Sequence, residues 1–475
     1  MTSPRALLRF AAYLAAFFIA ALALWIGRAF GDTTLDQALW HLQYAERAAL
    51  GMSGIFLVEF LVEVVALSIL AAAMAALLHT WTASRVTRAQ GLALYAIPAL
   101  ACVGAIATLA LQFSVVSYAA AYFGPDRFAQ AYVPPHRVRM VQEHKRNLVI
   151  IYAESLEASY RDSGLFGRNL LASLDRVGGR RYTSYRQVPG ATWTIAGMVA
   201  TQCGVPLKVY SEANVRERAA DKSFLAGATC LGDILQAHGY HSVFLGGAPL
   251  SFAGKGSFLR DHGYTRTWGR EEWERDGVQP VERNQWGLHD MPLFERARTK
   301  LDELHASGQP FNLTILTVDT HNPSGMLSPD CRRRGATDFE GIVACTADQL
   351  AEFVEFARAR GYLKDTTIVI IGDHLAVPNP AYDKLVQRGP ARSIFNLFIG
   401  EALPPANTDE LVPFDLFPTL VELAGIRVEG DRLGLGYSAV GTIETPRPAL
   451  ESRTEPLGVS ASYEQLWRLS APSLH

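Results

Sequence analysis

From Gly91 to Phe123 the chain carries no charged side chain. That run is longer than the roughly 20 apolar residues needed to cross the hydrocarbon core of a bilayer. Two further apolar runs precede it, Phe10 to Ile26 and about Phe56 to Leu78. Apolar residues make up 49% of the 475-residue chain, and the excess lies in these runs. The sequence therefore predicts a membrane region over residues 1–123, with three spans near 8–27, 56–78 and 92–118. The first run also invites a signal-peptide reading, but it is longer than a usual signal core and no small-residue cleavage site follows it. The third run is long enough to tilt or to end along the interface.

Charge placement gives an orientation. Arg5 and Arg9 precede the first run, and Arg85 and Arg88 lie between the second and third. Between the first and second, Arg28 and Arg47 mix with Asp32, Asp36 and Glu46. Cytoplasmic loops keep the excess of Lys and Arg, so the N-terminus is expected inside and everything after Phe123 outside. Cys102 lies in the third run, and Cys203, Cys230, Cys331 and Cys345 follow in the polar part. An even number in an oxidising compartment predicts two disulfides. Of three pairings, proximity favours Cys203–Cys230 and Cys331–Cys345. Glu59 and Glu63 share a helical face near the outer end of the second span. Such carboxylates can mark function or sit at the interface within reach of water. A formal net charge of -2 leaves no electrostatic footprint for nucleic acid.

Residues 124–146 are polar, contain Pro134-Pro135 and read as a linker. From Asn147 short apolar runs alternate with amphipathic stretches: Leu148–Tyr152, Ser242–Leu245, Leu313–Val318, Thr367–Ile371 and Ile394–Ile399 as strands. Leu231–His238, Met291–His305 and Ala347–Arg360 read as helices between them. Continuous apolar strands are covered on both faces. The expectation for 147–440 is thus a largely parallel, doubly wound α/β domain. Residues 441–475, rich in Pro, Ser, Thr and Glu, read as an irregular tail.

Ligands of open α/β sheets bind beyond the carboxyl ends of the strands. There the sequence places Ala153-Glu154-Ser155, Asp319-Thr320-His321-Asn322-Pro323 and Gly372-Asp373-His374. Glu, Asp and His converging on one rim are the donors of a metal site. Taken alone, Gly-Asp-His reads equally well as an Asx-type turn. A second feature is Trp193-Thr194-Ile195-Ala196-Gly197, where a helix is expected to begin. Thr194 can be a helix cap. It can also be a nucleophile, because a hydroxyl at a helix N-terminus faces free N–H groups and an adjacent metal eases its deprotonation. Residue chemistry does not choose between Thr192 and Thr194.

"NLVIIYAES", "GATWTIAGMVATQCGVPL", "DTHNP" and "IVIIGDH", in this order, resemble the phosphoglycerol transferases of the alkaline phosphatase superfamily. The likeness is greatest to bacterial membrane enzymes that decorate periplasmic glucans; lipoteichoic acid synthases are more distant. It covers roughly Asn147 to Gly436, and "FDLFPTLVELAGI" is similar to a late segment of sulfatase-like members. The resemblance implies an N-terminal three-helix anchor followed by an alkaline-phosphatase-like α/β domain. It implies Glu154, Thr194, Asp373 and His374 as ligands of a divalent metal, Mn²⁺ or Mg²⁺. Thr194 would be the nucleophile, and His321 would bind substrate phosphate or move a proton. Trp193, Lys255 and Arg260 are the further substrate-binding candidates. Implied partners are phosphatidylglycerol as donor, a glycan as acceptor and the bacterial inner membrane, with the catalytic part in the periplasm. Lipoteichoic acid synthases carry Lys-Thr-Ser where this chain has Trp193-Thr194-Ile195, which favours the glucan-modifying branch. Some members of that branch carry extra sequence beyond the catalytic domain, so acceptor choice stays open. Phosphoethanolamine transfer also uses a threonine, with more spans and other flanking motifs. Sulfatase-like hydrolases usually carry Cys or Ser at that position. A membrane-anchored sensor would need no complete Glu-Thr-Asp-His set.

Overall fold

Unbroken apolar strands need cover on both faces, and a six-stranded sheet supplies the frame on which it is built. The computed structural model describes residues 4–31, 33–43, 54–208, 223–455, 457 and 460–468. Two compact units emerge, Met1–Ala38 with Ala45–Ala120, and Leu39–Tyr44 with Ala121–His475.

In the first unit, α1 (Pro4–Phe30) packs against α2 (Leu67–Ala83) and α3 (Arg88–Gln112). The Cys102 thiol bonds the Ala12 carbonyl at 3.3 Å, and Gln112 Nε2 donates to the Gly31 carbonyl at 2.9 Å. Ala6–Phe30 and Leu57–Ala83 are long and apolar enough to cross a membrane. The third expected span is not one helix. Ala96–Gln112 and Val115–Ala121 meet at 67°. At the break Ser114 takes a φ of 51°, which a right-handed helix cannot accommodate. Among the described residues, two helices are long and apolar enough to cross a membrane, or three if the bent pair crosses as one. Glu63 forms an ion pair with Arg28, so this carboxylate has a counter-charge within its own unit.

In the second unit the strands are β1 (Asn147–Ala153), β2 (His241–Gly246), β3 (Tyr264–Trp268), β4 (Phe311–Leu316), β5 (Thr366–Gly372) and β6 (Asn396–Ile399), in spatial order β3-β2-β4-β1-β5-β6. All neighbours run parallel except β6, which is antiparallel to β5. The sheet is therefore mixed, not parallel throughout. Alternate residues of β1 enter opposite cores: Leu148, Ile150 and Tyr152 into one, Val149 and Ile151 into the other. This period of two is the pleat. β3 lacks the apolar signature of the other strands, because as an edge strand it exposes Thr265 and Arg266.

Three segments depart from their expected form. Residues 124–146 belong to the folded unit: Phe128 is buried, and Met140–Gln142 pairs antiparallel with Ile426–Val428. In the tail, Ala461–Arg468 is a helix that buries Tyr463, Leu466 and Trp467. The Tyr463 hydroxyl donates to the Pro206 carbonyl and accepts from the Lys208 N–H, both at 2.9 Å. The helix expected from Ala347 begins at Phe339, because the Asp338 carboxylate caps it through Gly341 N at 2.8 Å.

Both favoured disulfides are present. Cys203–Cys230 joins the end of one helix (Thr194–Cys203) to the residue before another (Leu231–Ala237). Cys331–Cys345 joins a short helix, Pro329–Arg333, to Phe339–Ala359. Closing a loop of 27 residues stabilises by about 3.5 kcal/mol. The Cys203→Ser/Cys230→Ser double variant is therefore expected to melt several degrees below wild type, and reductant should lower the wild-type transition but not move it in the variant through this bond.

Candidate active site

Two strand ends and one helix start converge. Glu154 follows β1, and Asp373 and His374 follow β5; all three are buried. Thr194 opens the helix Thr194–Cys203. Its cap is Trp193, in extended conformation (φ -149°, ψ 162°) and without a capping side-chain bond. Thr194 is thus the first helical residue, and its hydroxyl donates to Glu154 Oε2 at 3.3 Å instead of capping.

Two glycines bring the backbone close around Asp373 and set the spacing. A Cβ on Gly197 would lie 2.1 Å from the Asp373 carbonyl oxygen. A Cβ on Gly372 would lie 2.1 Å from the Leu156 carbonyl oxygen. Backbone meets backbone at both places, and any side chain would push the helix or the strand away.

The polar atoms around Asp373 define a set of donors. Asp373 Oδ1 accepts from the Ser155 N–H at 2.8 Å and the His374 N–H at 3.0 Å. Asp373 Oδ2 is buried and has no hydrogen-bond partner among the described residues. His374 Nδ1 donates to the Leu375 carbonyl at 2.8 Å, which fixes the proton there in the neutral ring. Its Nε2 lies 3.6 Å from Glu154 Oε1 and 3.5 Å from Asp373 Oδ2. One donor atom from each of Glu154, Asp373 and His374 fits within a 4.8 Å cluster. Burial, followed by the charge of Glu154, pushes the Asp373 carboxyl up to about 7. Burial opposes charging of His374, but Asp373 and Glu154 outweigh it and raise its pKa. An orphaned carboxylate oxygen, a second carboxylate and an imidazole lone pair facing one another fit a divalent cation.

Other groups support or face this cluster. Thr317 Oγ1 accepts from the Glu154 N–H at 2.9 Å, and Thr320 Oγ1 donates to the Glu154 carbonyl at 2.7 Å. The end of β4 thereby braces the end of β1. Lys255 is buried, and burial lowers its pKa to about 8 against the pull of Glu154, Asp373 and Glu271. Arg260 lies farther along the same helix (Lys255–Asp261), with a side chain 61% exposed and 3.4 Å from Asp261. The structure brings Lys255 towards the carboxylates and leaves Arg260 at the surface. His321 donates from Nδ1 to the Asn322 carbonyl at 2.7 Å, and its ring centroid is 4.1 Å from that of Trp286. Burial lowers its pKa to about 4, so its ring is neutral at physiological pH. Asp319 does not join the cluster. It accepts from His289 Nδ1 at 2.6 Å, Asn284 Nδ2 at 3.0 Å and the Asp290 N–H at 3.1 Å. Those partners come from Asn284–Asp290, a segment absent from the sequence-based candidates. Its one signal is a polar-aromatic run, "NQWGLHD", that fits neither helix nor strand.

The sequence model of the sulfatase family, described as "Sulfatase", matches residues 146–426, more than half of the chain. The chain belongs to the sulfatase family. Members of the sulfatase and alkaline phosphatase superfamily are metal-dependent, in keeping with the donor set above. Among curated relatives, this sulfatase-family chain is 36% identical over 357 residues to Phosphoglycerol transferase I of Escherichia coli O127:H6, covering 73% of this chain and 45% of the relative. It is 36% identical over 356 residues to Phosphoglycerol transferase I of Salmonella paratyphi B, covering 72% and 45%. The chain spans less than half the length of these relatives. A solved structure, the lipoteichoic acid synthase LtaP from Listeria monocytogenes, is similar with 18% identity and a TM-score of 0.49, covering 66% of this chain and 77% of that one.

Titration of the purified protein with Mn²⁺ is expected to raise its melting temperature, since a ligand at about 100 times its Kd adds about 2.7 kcal/mol. Asp373→Asn and Gly197→Ala should each abolish that rise, the first by removing a donor and the second by displacing it. A full rise in Asp373→Asn would show that the ion binds elsewhere.

Proposed function

We propose that this protein transfers phosphoglycerol from phosphatidylglycerol to a glycan hydroxyl through a covalent phosphothreonine at Thr194. The observation that carries the reading is the Thr194 hydroxyl on Glu154, at a helix N-terminus and beside a buried carboxylate–imidazole cluster. The relatives named Phosphoglycerol transferase I support the group transferred.

Glu154, Thr194, Asp373 and His374 would hold a divalent cation, Mn²⁺ first and Mg²⁺ as the alternative. Such an ion supplies Lewis-acid neutralisation of phosphoryl charge and lowers the pKa of a neighbouring hydroxyl. Thr194 Oγ attacks phosphorus: the Oγ–P bond forms, the bond from phosphorus to the diacylglycerol oxygen breaks, and that oxygen takes up a proton in place of the one Thr194 loses. In the second step a sugar oxygen bonds phosphorus, the Oγ–P bond breaks, and the proton lost by the sugar hydroxyl is balanced by one returned to Thr194. The neutral His321 ring, with Nδ1 already donating, offers Nε2 to receive the proton of the attacking hydroxyl. Lys255 faces the phosphate oxygens as a buried cation. The free N–H groups of the helix start add to that field.

The two disulfides support a catalytic unit on the non-cytoplasmic side of a bacterial inner membrane. So does the Lys/Arg pattern around the spans. An anchored enzyme meets its lipid donor at the surface where that donor is concentrated.

The test uses the full chain in detergent with Mn²⁺ and phosphatidylglycerol labelled in its terminal glycerol. Diacylglycerol release and label on the protein are expected for wild type, and label on glucan when glucan is added. Thr194→Ala should lose activity by a factor on the order of 10³ or more, with an unchanged melting temperature. Release from phosphatidylethanolamine instead, or label passing only to water, would replace the proposal with phosphoethanolamine transfer or hydrolysis.

A further inference from the structure

Residues 39–44 are grouped with the catalytic unit although they lie between the first two apolar helices in sequence. Trp40 is buried there. Its Nε1 donates to the Ala253 carbonyl at 3.3 Å, and its ring lies 5.5 Å from Phe224 and 5.9 Å from Trp467. That anchor brings the next residue, His41, beside the site. The His41 ring centroid is 6.2 Å from that of Trp193 and 6.3 Å from that of Phe252. Phe252 in turn lies 5.2 Å from Trp286, and Trp286 lies 4.1 Å from His321. A continuous row of rings therefore links the residue next to Thr194 with the histidine that faces the carboxylate cluster.

Two atoms in that row are unsatisfied. Trp193 and Trp286 are each 5% exposed, and neither indole Nε1 has a hydrogen-bond partner among the described residues. A buried donor without an acceptor is costly and calls for a partner. Aromatic faces combined with a few convergent donors are the lining of a ligand site. A pyranose ring suits both features, because it presents a flat C–H face to a ring and a rim of oxygens to an N–H. Glycerol has the oxygens but no flat face.

We infer that Trp193, His41, Phe252 and Trp286 form the subsite for a hexose of the acceptor, with His41 its specificity-determining residue. The inference rests on the glycan-transfer reading above and assigns that reaction a place for its second substrate.

The test measures transfer of labelled phosphoglycerol from phosphatidylglycerol to a short glucan oligosaccharide, varying each substrate in turn. His41→Ala is expected to raise the glucan concentration for half-maximal transfer about tenfold, while His41→Phe, which keeps a ring, stays within about threefold of wild type. Trp286→Phe removes one indole donor and keeps the ring. It is expected to shift the same quantity upwards, and it stands in for His41→Ala should that variant melt well below wild type. An unmoved glucan half-saturation, or a shift in the phosphatidylglycerol half-saturation in its place, overturns the subsite and leaves the transferase reading standing. A wild type that releases diacylglycerol but passes no label to glucan overturns both.

Discussion

Glu154 and Asp373 are buried side by side, and the attraction of that pair for a positive charge governs the arrangement around it. Burying like charges is unfavourable without a counter-ion or a proton. The chain meets part of that demand with donors it fixes in place: the Ser155 and His374 N–H groups on Asp373 and the Ser155 hydroxyl on Glu154 Oε1. The remainder, one free oxygen of Asp373 and the inward face of His374, is left for a cation. Parallel strands make this possible, because β1, β4 and β5 all end on the same rim.

Thr194, the proposed nucleophile, belongs to the same construction. Its helix touches the Asp373 backbone through Gly197 and is tied at its far end by Cys203–Cys230. The left-handed Gly204 follows, packed against Phe417 and the Leu433 carbonyl. Thr194 is therefore positioned by contacts at both ends of the helix.

Much of this is legible in the sequence. Strands buried on both faces leave unbroken apolar runs, and the residues after them stand at the ligand rim by topology. The first polar residues beyond each strand therefore include Glu154, His321, Asp373 and His374. Cysteine spacing points to the disulfides. The features that escape the sequence depend on contacts between distant segments. The partners of Asp319 come from Asn284–Asp290, whose sequence has no period. The Tyr463 bond to the segment after the helix Thr194–Cys203 joins residues 257 apart. The antiparallel turn of β6 looks the same in sequence as a parallel strand would. Lys255 and Arg260 are both cationic side chains in sequence, and only their place on the helix decides which points inwards.

A helix held at both ends has little freedom to swing its first residue. In the transfer proposed above, approach of the reacting atoms then comes from the substrate's side, through binding and orientation of the phosphate. The solvent-like reorganisation that would accompany a moving hydroxyl and a re-forming set of carboxylates is completed during folding, and it is not repeated at each turnover.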